Sequence, residues 1–381
     1  SLLLKTAVTG ILDESIPAAS GVRQGDPLAP LLFTCVVDLI LERMNNHWKS
    51  RGLGFLCGDE NLDAPLFLGA LGFADDITLV ASSLEKAQVM VEELATAVSK
   101  VGLTVNFKKC EWVTSLYVDC VDAPSITCRG VALPRRLNSE GITLLGTKIA
   151  AIPNSEVEVY NRVAAAWRTF WKHSDILRSR NVSITNKFKV LASTCLQVLL
   201  YQSAVWNPDK RDLERLNTAY LKMARSAVRW RRFLTETGVD FVIRTLRSTR
   251  ALLQDFGQAA PSQCWLQRYH RWCGHLARLP PERLASRVTK WLSMEWYYAA
   301  RTHGYHFNKR GRISRWESHV WETLGYKPWW DLAKNREEWR ECENEFCYYD
   351  RMRRCNGVQR WRFPVSQRDE TPLDAPLAFY V

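Results

Sequence analysis

An α+β fold is predicted by three features: a short apolar hairpin signal around two adjacent aspartates, helical periodicities on both sides of it, and three helical stretches after Pro153. The 381 residues are 46% hydrophobic and 24% charged, a composition that suits two or three compact units, each with its own core.

From Pro27 to about Trp48, the residues Leu28, Leu31, Leu32, Cys35, Val36, Leu39, Ile40 and Met44 repeat at helical spacing. Pro27 suits the helix start, where its missing N–H is not needed. Leu66–Val80 reads as two buried strands joined by a tight polar turn at Asp75–Asp76. Ser82 and Glu85 form a capping-box pair that opens a second helix, with the stripe Leu84, Ala87, Val91, Leu94, Val98 and Val101. Gly102 closes that helix. Short strands are expected around Leu103–Phe107, Glu111–Val118 and Ile142–Leu145.

Helices follow at about 155–177, 183–205 and 208–231. Ser183 is the expected N-cap of the second, and Asn207–Pro208 the cap and first position of the third. Weaker helical pieces fall near 240–255, 262–278 and 282–301. The tail from about 302 is rich in Arg, Trp and Tyr, and its Pro-rich last dozen residues are expected to be unordered. There is no fixed-period repeat.

The net charge of +12 is unevenly placed: residues 1–150 balance at −4 (13 basic, 17 acidic) and residues 151–381 at +16 (39 and 23). Fourteen of the 16 tryptophans lie in the basic part. Cations that displace counterions and rings that stack on bases suit a nucleic-acid partner. A solvated basic surface over a Trp-rich core explains the same numbers equally well. No apolar run approaches the ~20 residues of a membrane span. No signal-peptide pattern is present, so an intracellular protein, nuclear or cytoplasmic, is expected rather than a secreted one. The 11 cysteines are scattered, which favours buried reduced thiols over a disulfide scaffold.

Adjacent carboxylates repel unless cations or solvent compensate. On rigid strands, Asp75 and Asp76 would make an oxygen-ligand site for Mg²⁺, although an Asp–Asp pair alone is more often a plain solvated turn. About fifty residues upstream, Gly21-Val22-Arg23-Gln24-Gly25-Asp26-Pro27 precedes the first helix. Its glycines let backbone approach a ligand and Gln24 can hydrogen-bond a base, or the glycines serve turn geometry alone.

Together these segments resemble the reverse transcriptases of LINE-type (non-long-terminal-repeat) retrotransposons. GVRQGDPLAPLLF, from Gly21 to Phe33, is similar to motif B, and Phe73-Ala74-Asp75-Asp76 to motif C. Gly102–Cys110 resembles motif D, Ile142–Ile149 the primer-grip hairpin with Leu145 and Gly146 at its tip, and Arg178–Trp206 the thumb. His270–Pro280 (HRWCGHLARLP) resembles a further segment of the same elements, so the resemblance covers about residues 15–280.

The resemblance implies a palm of antiparallel strands with packed helices at 1–150 (motifs B to E) and a helical thumb at 151–232; beyond it a helical post-thumb region is expected at 233–301, and composition alone marks a basic Trp/Arg-rich tail at 302–381. It implies RNA-directed DNA polymerase activity on an RNA template, a DNA primer or target and dNTPs, with two Mg²⁺ ions. Asp75 and Asp76 would bind metal. Arg23, Gln24, Gly25 and Asn106 would shape the template and nucleotide pocket, and Lys109 would assist pyrophosphate departure. The family's motif A carries a further metal-binding Asp well upstream of motif B. Only twenty residues precede Gly21, and Asp13–Glu14 lies too close, so that Asp and the fingers are expected to be missing and the chain alone to be inactive. The alternative is a non-catalytic RNA- or DNA-binding remnant. Neither Cys264, His270, Cys273 and His275 nor Cys342, Cys347 and Cys355 has established zinc-site spacing, so zinc is not expected.

Overall fold

The computed structural model describes residues 25–57, 66–116, 124–152, 155–289, 320 and 329–354. The chain divides into two compact units, Ser1–Trp112 with Val121–Arg135, and Val113–Cys120 with Arg136–Val381. Both α and β elements are present, and the described strands form four antiparallel pairs.

In the first unit, α1 (Ala29–Ser50) begins after Asp26, whose side chain accepts from the Leu28 N–H at 2.9 Å. Pro30, rather than Pro27, lies in its first turn, where no N–H is needed. The helix is apolar on two sides. Val37, Leu41 and Trp48 are buried, whereas most of the predicted stripe (Leu28, Leu31, Leu32, Val36, Leu39) faces outward. The expected core face is thus corrected: strands pack on the Val37–Leu41–Trp48 side.

Four hairpin strands follow: β1 (Phe55–Cys57), β2 (Leu66–Leu68), β3 (Ala70–Phe73) and β4 (Asp76–Leu79). β1 pairs with β2 and β3 with β4, Phe73 standing opposite Asp76. The hairpin is half exposed, not buried, because only one face meets α1; Phe73 is 65% exposed. Helix α2 (Leu84–Ser99) is capped by Ser83, one residue later than predicted, which accepts from the Lys86 N–H at 3.3 Å. It closes as expected, with Gly102 in the left-handed region (φ 80°) and Leu103 N–H donating to Val98 C=O at 3.1 Å. Glu93 of α2 accepts from the fully buried Trp48 indole at 2.7 Å and from Arg51. Burial pushes the Glu93 carboxyl up, but the Arg51 and Trp48 donors more than offset it and hold it below the ordinary range.

The predicted strand Leu103–Phe107 does not form. Leu103, Val105 and Phe107 alternate inward with Thr104 and Asn106 outward, but they pack against the two apolar clusters with no partner strand among the described residues. The second predicted strand reduces to one bridge, Trp112 to Arg135; residues 117 and 118 lie outside the described set. A hairpin that the sequence did not announce, β5 (Thr127–Cys128) with β6 (Val131–Ala132), packs on α2. Gln88 holds it through both polar atoms, accepting from Thr127 N–H at 2.8 Å and donating to Thr127 C=O at 2.7 Å.

The second unit opens with β7 (Ile142–Leu144) and β8 (Thr147–Ile149), paired through a tip at Leu145–Gly146 where both φ values are positive. Its helices are α3 (Glu156–Lys172), α4 (Ser174–Leu177), α5 (Ile184–Ser193), α6 (Cys195–Leu199), α7 (Lys210–Val228), α8 (Gly238–Asp255), α9 (Pro261–Ala277), α10 (Trp329–Lys334) and α11 (Arg336–Arg354). Ser183 caps α5 as predicted, accepting from Asn186 N–H at 3.3 Å. The single helix expected over 183–205 is broken at Thr194, whose hydroxyl bonds back to Val190 C=O at 2.6 Å. Asp209, not Asn207, caps α7, in a reciprocal box with Asp212.

These helices enclose a core in which Trp206, Trp265, Trp329, Trp330 and Trp339 are all buried. For these five, the Trp-rich core is the reading that holds. The helical piece expected near 282–301 and most of the tail lie largely outside the described residues.

Gly274 admits Trp339 to α9: a Cβ there would stand 2.5 Å from the indole, which is pinned by its own N–H to His270 C=O at 2.9 Å. Gly274→Ala is expected to cost about 1–3 kcal/mol by overpacking. A lowered urea midpoint would show it, and an unchanged midpoint would contradict the packing argument.

Candidate metal and nucleotide site

Asp75 and Asp76 sit at the tip of β3–β4, both exposed. The loop is two residues long, and its first, Ala74, has φ 52°, a conformation normally left to glycine. Such a residue persists only when its surroundings over-determine it. Two observations supply that. The Gly72 backbone lies so close to α1 that a Cβ would stand 2.6 Å from Leu41 Cδ1. At the foot of β3, the Asn45 side chain accepts from Ala70 N–H at 2.8 Å and donates to Ala70 C=O at 3.4 Å.

Asn45 therefore holds β3 to α1 by the same two-sided amide clamp that Gln88 makes on β5. Sequence reasoning did not find it, since nothing local marks one Asn among the polar residues of a helix. Asn45→Ala is expected to cost about 1–3 kcal/mol through the unsatisfied Ala70 groups. Denaturant unfolding measures this, and a loss well below that range would mean that Ala70 finds other partners.

The two carboxylates are hard-oxygen donors that suit a divalent cation. Among the described residues, no third His, Cys, Asp or Glu joins them. Asn106 and Lys109 share one turn, with Lys109 N–H donating to Asn106 C=O at 3.0 Å, and both are exposed. Gly25 is exposed with φ 90°, whereas Arg23 and Gln24 lie outside the described residues.

In the second unit, Leu145 and Gly146 are held by α3 and by the turn that follows α6. Tyr201 and Gln202 donate to Leu145 C=O at 3.1 and 3.2 Å, and Arg162 donates to Gly146 C=O. Beneath them Glu158, 2% exposed, accepts from Lys148 N–H at 2.6 Å and pairs with Arg162 at 2.5 Å. Burial raises the Glu158 carboxyl above its ordinary value, and the Lys148, Asn161 and Arg162 contacts only partly offset this.

A groove of about 490 Å³ between α3 and α7 is lined by Tyr160, Trp167, Arg211, Arg215 and Lys222. The Arg215 guanidinium lies 4.6 Å from the Tyr160 ring, and Trp167 stacks on the exposed Trp171. Aromatics seven and eleven residues on from Tyr160, interleaved with basic residues, were the available signal.

The cysteines and histidines near 264–275 have other roles. Cys273 and His270 are core residues, His270 stacking on Trp339 at 4.3 Å, and His275 is exposed on α9. Burial pushes the Cys264 thiol up. Cys355 lies outside the described residues.

Residues 1–149 match the family model for reverse transcriptase (RNA-dependent DNA polymerase). This part of the chain is similar to reverse transcriptases, a family that works with divalent metal ions. The similarity extends to polyproteins of LINE-type elements. The chain's relatives include the Pol polyprotein of the type-1 retrotransposable element R2 from Nasonia vitripennis, 41% identical over 95 residues (25% of this chain, 8% of that protein). The element R2DM polyprotein of Drosophila melanogaster is 35% identical over 98 residues (26% and 8%). A transposon-derived protein of Caenorhabditis elegans is 26% identical over 287 residues, which is 71% of this chain and 92% of that protein. The match thus spans less than a tenth of each of the two polyproteins. No described helix is long and apolar enough to cross a membrane.

Proposed function

We propose that the chain is part of an RNA-directed DNA polymerase that extends a DNA primer on an RNA template, with the β3–β4 tip as its metal site. The observation that carries this reading is the pair Asp75–Asp76, exposed on a two-residue turn that Asn45 and the Gly72–Leu41 contact fix to α1. When bound, two Mg²⁺ ions lower the pKa of the attacking 3′-hydroxyl and stabilise the leaving pyrophosphate. Asp75 and Asp76 hold them, Lys109 offers a cation or proton to the departing oxygen, and Arg23, Gln24, Gly25 and Asn106 line the nucleotide and template pocket. The first unit acts as palm. The helices from α3 onward act as thumb, with Leu145–Gly146 gripping the primer end. Two carboxylates leave each ion short of ligands, so incorporation requires a third, from outside the described residues.

The test is primer extension on an RNA template with Mg²⁺, comparing this chain with a version joined to an upstream segment that carries the motif A Asp. Incorporation only by the extended version supports both parts of the reading. Incorporation by the chain alone would overturn the need for an upstream segment. No incorporation by either, with salt-sensitive RNA binding retained, would favour the second reading, a non-catalytic binder. The α3–α7 groove, with its rings and cations, is the observation that speaks for it.

A further inference from the structure

Helices α9 and α11 enclose a cleft of about 370 Å³. Four guanidinium groups line it, Arg271 and Arg278 from α9 and Arg336 and Arg340 from α11, together with His270, Trp339 and a single carboxylate, Glu343. Glu343 takes both forks of Arg271, at 2.8 and 3.0 Å. Arg278 places one nitrogen on Ala333 C=O at 2.7 Å. That leaves three cations, Arg278, Arg336 and Arg340, facing one cavity whose single described carboxylate is already taken by Arg271.

Close like charges in a partly desolvated cleft repel, and the cost is recovered when an anion enters. The repulsion registers on the groups themselves. Burial and then Arg336 lower Arg278, and burial followed by Arg271 and Arg278 pushes His270 down to about 3. A second observation is independent of charge. His270 is 1% exposed, lines the cleft, and neither ring nitrogen has a hydrogen-bond partner. A neutral imidazole offers one N–H donor, and buried donors are normally satisfied. Guanidinium forks with an imidazole N–H make a donor set matched to phosphate oxygens.

We propose that the cleft between α9 and α11 binds a backbone phosphate of single-stranded nucleic acid through Arg278, Arg336 and Arg340, with His270 as an additional donor. This rests on the reading of the chain as a nucleic-acid binder, but the cleft lies outside the metal site and its test does not depend on polymerisation.

The experiment is fluorescence anisotropy of a labelled single-stranded RNA with the full chain over a KCl series. Arg336→Gln with Arg340→Gln is compared with a charge-matched control, Lys189→Gln with Arg247→Gln, all four residues being exposed. The cleft pair is expected to weaken binding at least tenfold and to flatten the slope of log K against log salt by about 0.7, the loss of one phosphate contact. The control pair should change binding less than threefold. Arg336→Lys with Arg340→Lys should keep the slope but not the full affinity, because the fork is lost. Equal losses in the cleft and control pairs, or no loss in the cleft pair, would overturn the proposal. So would stabilisation of the wild type by inorganic pyrophosphate, absent in the cleft variant, with RNA binding unchanged, since the ligand would then be a free phosphate compound. Failure of the wild type itself to bind RNA would overturn the nucleic-acid reading along with it, whereas binding that ignores the cleft pair overturns the cleft alone.

Discussion

Asp75→Ala, in a version of the chain carrying the motif A segment, is expected to cut Mg²⁺-dependent nucleotide addition by about a thousandfold or more. A metal ligand at the reacting phosphate contributes several kcal/mol of transition-state stabilisation, and each ~1.36 kcal/mol is a factor of ten in rate. The same substitution should leave folding nearly untouched. Asp75 is exposed on a turn and its carboxylate has no described hydrogen bond, so the stability change should stay within about 0.5 kcal/mol. Primer extension beside a denaturation curve separates the two effects. A variant that keeps its rate would remove Asp75 from the metal site, and one that loses rate and stability together would assign it a structural role.

The second large effect is expected at Glu158. Glu158→Ala strands Arg162, whose side chain is only 11% exposed, and removes the acceptor of Lys148 N–H. Breaking a buried pair from one side costs about 3–5 kcal/mol. In a unit of this size, that is roughly a 10 °C drop in Tm.

The pH dependence has a definite sign. The folded carboxyl holds its proton more tightly than the ordinary value of 4.5, because burial outweighs its contacts. Between that value and the raised folded value, the native state therefore binds more protons than the unfolded chain. This group's contribution thus declines as pH rises through that window and is level above it. Glu158→Gln should abolish the decline. Thermal melts of wild type and Gln variant across mildly acidic to neutral pH would reveal parallel curves if Glu158 is instead ionised throughout.

The helices were legible because their signals are local. Ser183 and Gly102 act where the sequence placed them, and caps slipped by only one or two residues, from Ser82 to Ser83 and from Asn207 to Asp209. The strands were less legible. Alternation at Leu103–Phe107 is real, but side chains packing on helices produce the same period as a sheet, and periodicity cannot report whether a partner strand exists. The β5–β6 hairpin is too short to carry a period at all.

At the site, the Asp75–Asp76 turn was visible from the apolar runs that flank it, whereas Asn45 and Glu158 were not. Asn45 clamps a strand 25 residues away and Glu158 a hairpin ten residues before it, and helical spacing gives no hint of either partner. The α1 stripe was misassigned for a related reason: a helix apolar on two sides does not declare which one meets the core.

The placement of tryptophan has an optical consequence. Fourteen of the 16 indoles follow residue 150, and five of those described are buried in the helical unit; the first unit has Trp48 and Trp112. Indole emission shifts to longer wavelength when water reaches the ring, so the fluorescence of a denaturing sample follows the second unit almost alone. Far-ultraviolet circular dichroism sees α1 and α2 as well. If the two units melt at different temperatures, the two signals will part company, and their separation tells which unit a given substitution has weakened.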